Sequence, residues 1–283
     1  MAGIITLTTD FGIRDAYVAA MKGVILSINP RAIIVDVCHS IEPQNIVEAA
    51  FIISTAYNYF PMGTIHLVVV DPGVGSQRKA IIMKTHSAFF LAPDNGVLSY
   101  IVAEASATPV KESPYPTPKP ELQKLDPAIR AIAITNPHFW LQPISPTFHG
   151  RDVFAPVAAH LSLGTPLSKF GKKVTRIYTF PIPRPYRDSE GNITGCVLHI
   201  DALGNLITNI KSGDLPSDQI SISINSHHVQ GLSLFYAQSK GLTALIGSSG
   251  YLEIAFVGGN AASVLNAKTG DKVKVSPRTP WQT

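Results

Sequence analysis

HLVVVDPGVGSQRKAIIM, residues 66–83, places a carboxylate and a guanidinium on the two sides of one short turn. The apolar runs 67–70 and 80–83 flank this turn, which Asp71 opens and Arg78 closes. Short β-branched runs bounded by Pro and Gly are typical of buried strands, and open α/β sheets bind ligands at the carboxyl ends of their strands. The stretch therefore predicts Asp71 facing Arg78 at a strand end, either as a functional pair or as a salt bridge that pins the loop.

The residues before this stretch alternate between strand and helix patterns. A β-branched run at 3–9 ends at Asp10, helical spacing follows over 16–28, and residues 32–37 form a second apolar run. Residues 40–43 open a second predicted helix, with Ser40 or Glu42 near its cap and a buried apolar stripe over 46–56. This alternation predicts an α/β domain with a mostly parallel central sheet.

The second half of the chain has a different pattern. Proline is concentrated at 179–187, and after it short apolar runs recur at 195–200, 206–210, 220–224, 242–246, 252–256 and 272–275. Such spacing predicts a small all-β, barrel-like domain. We therefore divide the chain into an α/β domain at 1–180, a Pro-rich linker at 181–190 and a β-barrel domain at 191–283. A further Pro-rich segment, 113–127, is expected to be an exposed surface excursion.

Composition excludes several classes of function. Of the 283 residues, 45% are hydrophobic and 15% charged, and the net charge is +4 without a dense Lys/Arg run, so neither nucleic-acid nor membrane binding is indicated. Cys38 and Cys196 are far apart in sequence, which favours neither a zinc site nor a disulfide framework. With no signal-peptide pattern and no apolar run long enough to span a bilayer, we expect a cytoplasmic protein.

Three further polar motifs lie in this apolar background: Asp10-Phe11-Gly12, residues 148–152 (FHGRD), and Asp201 with Gly204-Asn205. His149 precedes a predicted helix whose dipole would lower its pKa, although a lone histidine is also often structural. The turn at Asp71 lacks the GK[ST] of a Walker loop and the third glycine of a dinucleotide fingerprint. Binding of nucleotide phosphates at this turn is therefore not supported.

Taken together, these motifs resemble those of the S-adenosyl-L-methionine (SAM) hydrolases, also called SAM hydroxide adenosyltransferases, which are related to the SAM-dependent fluorinase and chlorinase. The resemblance runs through TTDFG, VDVCHSIEP, VVVDPGVGSQR, APDNGVLS, TFHGRDVFAPVAAHL, IDALGNLITNI and GYLEIAFVGGNAAS. Seven motifs in one order cover nearly the whole chain, and the Pro-rich segment 113–127 is the main departure in length.

The resemblance implies a two-domain subunit that assembles as a homotrimer, with the site at the subunit interface. It also implies displacement at the ribose C5′ of SAM by water, which yields adenosine and L-methionine. No metal and no added cofactor are implied, since SAM is itself the substrate.

By the same resemblance, a catalytic triad falls on Asp71, Arg78 and His149. The sulfonium is already a good leaving group, so the enzyme need only hold water in line with C5′, desolvate it and accept a proton. Asp71 would orient the water and take the proton, directly or through His149. Arg78 would keep the carboxylate charged and fixed in place.

Five substrate contacts in the family match polar or aromatic residues of this chain. Asp10 matches the carboxylate on the ribose hydroxyls, Asp15 and Asp201 match acidic positions near the methionine portion, Asn205 matches the adenine reader, and Tyr236 matches an aromatic residue against adenine.

Four more positions complete the set. Ser248 and Ser249 match groups that hold the methionine carboxylate, although relatives often carry a larger residue at the second position. Asn260 and Ala262 match adenine contacts. Relatives tend to have an arginine before this motif, where this chain has Gly258-Gly259.

Two alternative functions remain at the level of sequence. A SAM-dependent halogenase has tyrosine at the position of Asp71, and a carboxylate there would repel a halide by several kcal/mol, to an order of magnitude, in a low-dielectric pocket. A non-catalytic SAM- or adenosine-binding module would not need Asp71, Arg78 and His149 together.

Overall fold

The computed structural model describes residues 3–107, 109–117, 119–217 and 219–277. The α-helices are α1 (Tyr17–Ile28), α2 (Ile46–Ala56), α3 (Ser99–Ala105), α4 (Ala155–Ser162) and α5 (Ala261–Leu265), with a π-helical turn at Gly150–Phe154 and 3-10 turns at Tyr57–Tyr59, Pro137–Phe139, Leu167–Lys169, Ser212–Asp214 and Tyr236–Gln238. The strands are β1 (Ile4–Thr9), β2 (Ile33–Cys38), β3 (Ile65–Val69), β4 (Ala80–Lys84), β5 (Phe89–Pro93), β6 (Glu112–Ser113), β7 (Glu121–Lys124), β8 (Arg130–Ile134), β9 (Gly171–Val174), β10 (Arg176–Thr179), β11 (Ile182–Pro183), β12 (Tyr186–Arg187), β13 (Ile193–Ile200), β14 (Leu206–Lys211), β15 (Ile220–Ile224), β16 (His227–Gln230), β17 (Gly241–Ile246), β18 (Tyr251–Val257) and β19 (Lys272–Pro277).

The described residues fall into two compact units. The first comprises those in the ranges 1–111 and 118–180, and the second those in 112–117 and 181–283. None of the helices among the described residues is both long enough and apolar enough to cross a bilayer.

The first unit is built on a seven-stranded sheet in the order β2-β1-β3-β5-β4-β8-β9. The strands β2, β1, β3 and β5 are parallel, whereas β4, β8 and β9 are added antiparallel. Parallel strands end at the same edge, and antiparallel β4 begins at that edge. Asp71, which follows β3, and Arg78, which precedes β4, therefore lie at one edge although β5 separates their strands.

Helices cover both faces of this sheet, which explains why β3 is buried along its whole length. On one face, Leu7 and Leu67 pack with Met21 of α1 and Val157 of α4. On the other face, the alternate residues, among them His66, lie on the side covered by α2. The predicted α/β domain with a parallel-rich sheet is confirmed.

The second unit is an antiparallel barrel that is nearly closed. Its strands follow the order β16-β15-β19-β13-β14-β18-β17, and β12 pairs with β13 outside this path. The backbone N–H of Ser233, after β16, donates to the carbonyl of Ala244 in β17 at 2.8 Å and so links the two ends of the path. The predicted all-β domain is confirmed, and its six apolar runs correspond to six of the barrel strands.

Two local predictions change. The cap of α2 is not Ser40 or Glu42 but Asn45, whose Oδ1 accepts from the N–H of Glu48 at 3.0 Å, because Gln44 has a left-handed φ of 68° and delays the start of the helix. The described residues of the Pro-rich segment 113–127 are only partly exposed, since Leu125 and Asp126 are buried. The segment also contributes strand β7, which pairs with β10 in a two-stranded ribbon.

Candidate active site

Asp71 and Arg78 form a bidentate ion pair. Nε of Arg78 donates to Oδ1 of Asp71 at 2.9 Å, and Nη2 donates to Oδ2. The side chains are only 5% and 11% exposed, respectively, and the guanidinium carbon lies 5.5 Å from the ring centre of Phe154. The planar fork of arginine fits the carboxylate in this way, so the predicted pair is confirmed and holds the carboxylate in one orientation.

The turn that carries this pair packs closely against the segment before His149. Gly75 adopts a left-handed φ of 78°, and a Cβ there would lie 2.5 Å from the carbonyl oxygen of Pro146. At the base of the turn, Nδ2 of Asn95 donates to the carbonyl of Val70 at 2.9 Å. Glycine is therefore required at position 75, and the turn has a fixed location relative to β5 and the 145–149 segment.

His149 is the third member of the cluster. Nη2 of Arg78 lies 3.1 Å from its Nδ1, and since a guanidinium can only donate, Nδ1 accepts. The neutral ring therefore carries its proton on Nε2. Burial lowers the pKa of His149, and Arg78 lowers it further against the opposing effects of Asp71 and Asp152. The direction agrees with the sequence-based expectation, but its causes are burial and Arg78 and not the helix dipole.

Asp152 holds the segment that presents His149. Its fully buried carboxylate accepts from the backbone N–H of Ser145 at 2.8 Å and from Nε of Arg151 at 2.6 Å. This supporting role was not predicted from the sequence. The position of a carboxylate in the first turn after His149 could have indicated this role, because such residues commonly accept from nearby backbone N–H groups.

Asp10 follows β1, the strand next to β3, and so lies at the same edge of the sheet as Asp71. Its Oδ2 accepts from the backbone N–H of Gln44 at 2.8 Å. Among the described residues, its other oxygen accepts no hydrogen bond. Asp15 precedes α1 and is exposed.

Three aromatic rings connect these elements, and sequence analysis did not identify them as a group. Phe148 lies 5.7 Å from Phe11 and 5.2 Å from Tyr17 between ring centres, with edge-on geometry in both pairs. The rings join the segment after β1, the start of α1 and the residue before His149. They form an apolar cluster whose member Phe148 directly precedes His149 in the chain.

In the second unit, Asp201 and Asn205 belong to one turn. Oδ1 of Asp201 accepts from the backbone N–H groups of Leu203 and Asn205 at 2.9 and 2.8 Å, and Oδ2 accepts from Nδ2 of Asn205 at 3.0 Å. A carboxylate has about four lone-pair positions, so one remains for a ligand. The amide of Asn205 is held by the carboxylate, with its Oδ1 directed away from that bond.

Tyr236 is tied to a buried carboxylate that the sequence analysis missed. Its hydroxyl donates to Oε1 of Glu253, which is only 8% exposed. Burial, Glu253 and Asp201 together raise the pKa of Tyr236 to about 12. Burial and Asp201 also raise the pKa of Glu253. In the sequence, a single acidic residue inside the apolar strand β18 was the feature that could have indicated this buried carboxylate.

The remaining predicted contacts lie in two turns of the same unit. Ser248 and Ser249 are exposed in the turn between β17 and β18. Asn260 caps α5 by accepting from the N–H of Ser263 at 2.8 Å, and the N–H of Ala262 donates to the carbonyl of Gly204 at 2.9 Å. The structure thus joins Asn260 and Ala262 to the turn of Asn205, whereas direct contacts of these two residues with adenine stay a prediction.

Among the described residues, no group of three or more His, Cys, Asp or Glu side chains is arranged to hold a metal ion. What the first unit offers is a fixed, shielded carboxylate next to a neutral imidazole and a guanidinium. That set can orient a water molecule and accept its proton.

Comparison with known families gives matches over most of the chain. A model of the SAM hydroxide adenosyltransferase N-terminal domain matches residues 5–171, and a model of the corresponding C-terminal domain matches residues 195–274. Together these two matches include the predicted triad and all nine predicted substrate contacts.

Individual relatives agree with this assignment. A protein of Salinispora tropica named (R)-S-adenosyl-L-methionine hydrolase is 32% identical over 275 residues, which cover 96% of this chain and 97% of the relative. A fluorinase of Actinopolyspora mzabensis is 27% identical over 310 residues, with 96% and 97% coverage. The crystal structure of an uncharacterized conserved protein from Thermotoga maritima superimposes with a TM-score of 0.82 at 34% identity, over 96% of this chain and 99% of that one.

Proposed function

We propose that this chain, which belongs to the SAM hydroxide adenosyltransferase family, hydrolyses S-adenosyl-L-methionine to adenosine and L-methionine. The oxygen of water forms a bond to C5′ of the ribose while the C5′–S bond breaks. The electron pair of that bond returns to sulfur, which leaves as the neutral thioether of methionine, and the water loses one proton to a base. The observation that carries this proposal is the shielded Asp71–Arg78–His149 cluster.

Asp71 is the proton acceptor in this scheme. Its carboxylate is 5% exposed and is held on both oxygens by Arg78, so it can orient water without reorganising. Each oxygen has a second lone-pair position that can accept from water.

His149 orients the water instead of relaying its proton. Because Nδ1 faces the Arg78 guanidinium, adding a proton there would set two cations against each other. The Nε2–H of the neutral ring donates a hydrogen bond to the oxygen of the attacking water. This arrangement leaves a lone pair of that oxygen directed at C5′.

The substrate contacts follow the family pattern. The Asp10 oxygen that accepts no bond within the described residues receives a ribose hydroxyl, and Asp15 lies near the methionine portion. In the second unit, the remaining lone pair of Asp201 accepts from the methionine ammonium, and the amide of Asn205 reads adenine. Tyr236, oriented by Glu253, packs against the base. Ser248 and Ser249 bind the methionine carboxylate.

A halogenase reaction is the competing chemistry, since a fluorinase is among the relatives. A halide at the position of the attacking water would lie against the shielded carboxylate of Asp71. Their repulsion in a low-dielectric site amounts to several kcal/mol, to an order of magnitude. Water is uncharged and donates to that carboxylate, so the site favours hydrolysis.

The proposal extends to assembly and location. We assign a homotrimer in which neighbouring subunits share the site, and exposed apolar side chains next to Tyr236 support it: Leu234 is 84% exposed and Phe235 57%. Cys196 is unpaired and buried, and burial raises the pKa of its thiol to about 12, which suits a reducing cytoplasm. The sulfonium supplies the leaving group, so neither a metal nor a cofactor is required.

Isotope labelling tests the reaction directly. Purified protein is incubated with SAM of each sulfur configuration in H₂¹⁸O containing chloride, and the products are separated by chromatography and weighed by mass spectrometry. We expect adenosine with ¹⁸O at C5′ and an equal amount of methionine. A halogenated deoxyadenosine, or adenosine without the label, would refute hydrolysis by water at C5′.

A further inference from the structure

The first unit contains a cavity of about 860 Å³ away from the Asp71 cluster. Its walls are the ends of β4, β7, β8 and β9 and the turn that follows β7. Lys84 lies at the end of β4, whereas Arg78 precedes the start of that strand. A rise of about 3.3 Å per residue puts roughly 13 Å of strand between Ala80 and Lys84. The cavity therefore opens at the opposite edge of the sheet from the proposed active site.

Four cations line this cavity: Lys84, Lys124, Arg130 and Lys173. Among the described residues, none of the four forms an ion pair with a carboxylate. The acidic residue in the lining, Asp126, accepts from the backbone N–H groups of Ala107 and Ala128 at 3.1 and 2.9 Å.

Strand register places three of these cations on one face of the sheet. Lys84 is paired directly with Arg130, and Lys173 is paired with Ile132, two residues further along β8. Side chains of directly paired residues, and of residues two apart on one strand, point to the same side. Like charges in such positions repel each other and destabilise a sheet unless an anion lies between them.

The floor of the cavity is apolar. Leu125, Ile129, Ala131 and Ile132 are buried and line it together with Leu167. Leu125, like Lys124, comes from the Pro-rich segment 113–127, which is the main departure in length from the family pattern. The segment therefore supplies one wall of a site with charged and apolar parts.

We propose that this cavity binds a ligand that carries a polyphosphate group. Lysine ammonium groups bind phosphate as point charges, and the arginine fork binds two phosphate oxygens at once. Clustered cations without carboxylate partners suit several linked phosphates better than a single carboxylate. The apolar floor accommodates the base of a nucleoside polyphosphate, and a free inorganic polyphosphate shares the same recognition chemistry.

Calorimetric titration with GTP and with inorganic tripolyphosphate, each at constant ionic strength, tests the proposal. Lys173→Gln removes a lining cation. Lys172→Gln is the matched control, because the Lys172 side chain points to the opposite face of β9 and does not line the cavity. We expect Lys173→Gln to weaken binding about tenfold, since one charge-assisted hydrogen bond is lost, and Lys172→Gln to weaken it less than about twofold. Both variants should form adenosine from SAM at the wild-type rate.

The arms of the titration separate the two sources of polyphosphate. Tighter binding of GTP than of tripolyphosphate identifies a nucleotide, and equal or weaker binding of GTP identifies the inorganic group; both support the site. Absence of saturable binding up to millimolar concentration would overturn the proposal. Equal losses in Lys172→Gln and Lys173→Gln would overturn it as well.

Discussion

Arg78 contacts two titratable partners, Asp71 and His149, with one guanidinium. It therefore holds the proposed base and also lowers the pKa of His149, in addition to the effect of burial. A proton on His149 adds a positive charge beside Asp71 and weakens that carboxylate as a proton acceptor, so activity falls on the acidic side as the ring gains a proton.

Replacement of Arg78 by glutamine should separate these two effects. The loss of a fixed carboxylate lowers kcat by about 10- to 100-fold. The loss of the neighbouring cation raises the pKa of His149, so the acidic limb of the kcat/KM profile moves to higher pH. A profile that keeps its wild-type limb, or moves to lower pH, would contradict the contact between Arg78 and His149. Rates measured from pH 4.5 to 9 decide the matter.

His66 gives the first unit a pH-dependent stability. The side chain is fully buried, forms a hydrogen bond with Thr6 at 2.8 Å and stacks on Phe90 at 5.1 Å. Burial lowers its pKa from 6.5 to about 4. As the pH falls, His66 therefore gains a proton in the unfolded chain before it does so in the folded protein. The free energy of unfolding falls by about 3 kcal/mol between pH 6.5 and 4.

His66→Phe should remove that part of the pH dependence. Urea unfolding at pH 7 and at pH 4 gives the loss of stability on acidification for each protein. We expect the loss to be smaller in the variant, whereas His86→Gln, which alters an exposed histidine, should behave as the wild type. Equal losses in all three proteins would show that His66 is not the group responsible.

At the level of elements, the tight turn at Gly204 connects the Asp201–Asn205 segment to α5. Gly204 has φ 84°, and a Cβ there would lie 2.1 Å from Cγ of Asn260. Gly191 has a similar φ of 82° with no atom within 4 Å of the same position. These two glycines therefore distinguish backbone strain from steric clash.

Gly204→Ala should lower the free energy of unfolding by about 1–3 kcal/mol more than Gly191→Ala does, because Asn260 has to move as well. Chemical denaturation of the two variants measures this difference. Since the same turn presents Asn205, Gly204→Ala should also raise the KM for SAM. Equal destabilisation by the two substitutions would contradict the close contact with Asn260.

The elements also reveal what sequence reasoning could and could not reach. Apolar periodicity located most strands and helices of the large sheet and the barrel, because burial imposes that periodicity directly. It missed β16, where Val229 is the one apolar residue of a short strand at the edge of the barrel path. It also missed Glu253 as the partner of Tyr236, because a contact across 17 residues depends on barrel register.

For the whole molecule, the residues quoted at the outset carried most of the functional information. The Asp71–Arg78 pair followed from a turn of eight residues, and local sequence was sufficient because both ends of the turn reach one sheet edge. The orientation of His149 was not predictable, since it depends on Asp152 and on the packing of Gly75 against Pro146. The cationic cavity was also out of reach, because its cations come from four separate strands.

The proposed trimer makes a prediction at the same scale. Light scattering should give three times the chain mass of 30.4 kDa. Leu234→Glu should reduce both the mass and the SAM hydrolase activity, because a charge replaces an exposed apolar side chain beside Tyr236. Leu163→Glu, at a comparably apolar and 52% exposed position of the first unit, serves as the control. A wild-type protein that is fully active at the mass of one chain would contradict the shared site.

The account as a whole depends on Asp71 as the group that activates water, and one paired measurement on Asp71→Asn tests this most directly. Adenosine formation is followed by chromatography and SAM binding by calorimetry, with Asp36→Asn as a control at an exposed carboxylate of β2. We predict a fall in kcat of about 10²- to 10⁴-fold in Asp71→Asn, with SAM binding retained, and wild-type rates in Asp36→Asn. Adenosine formation by Asp71→Asn at the wild-type rate would contradict the central claim.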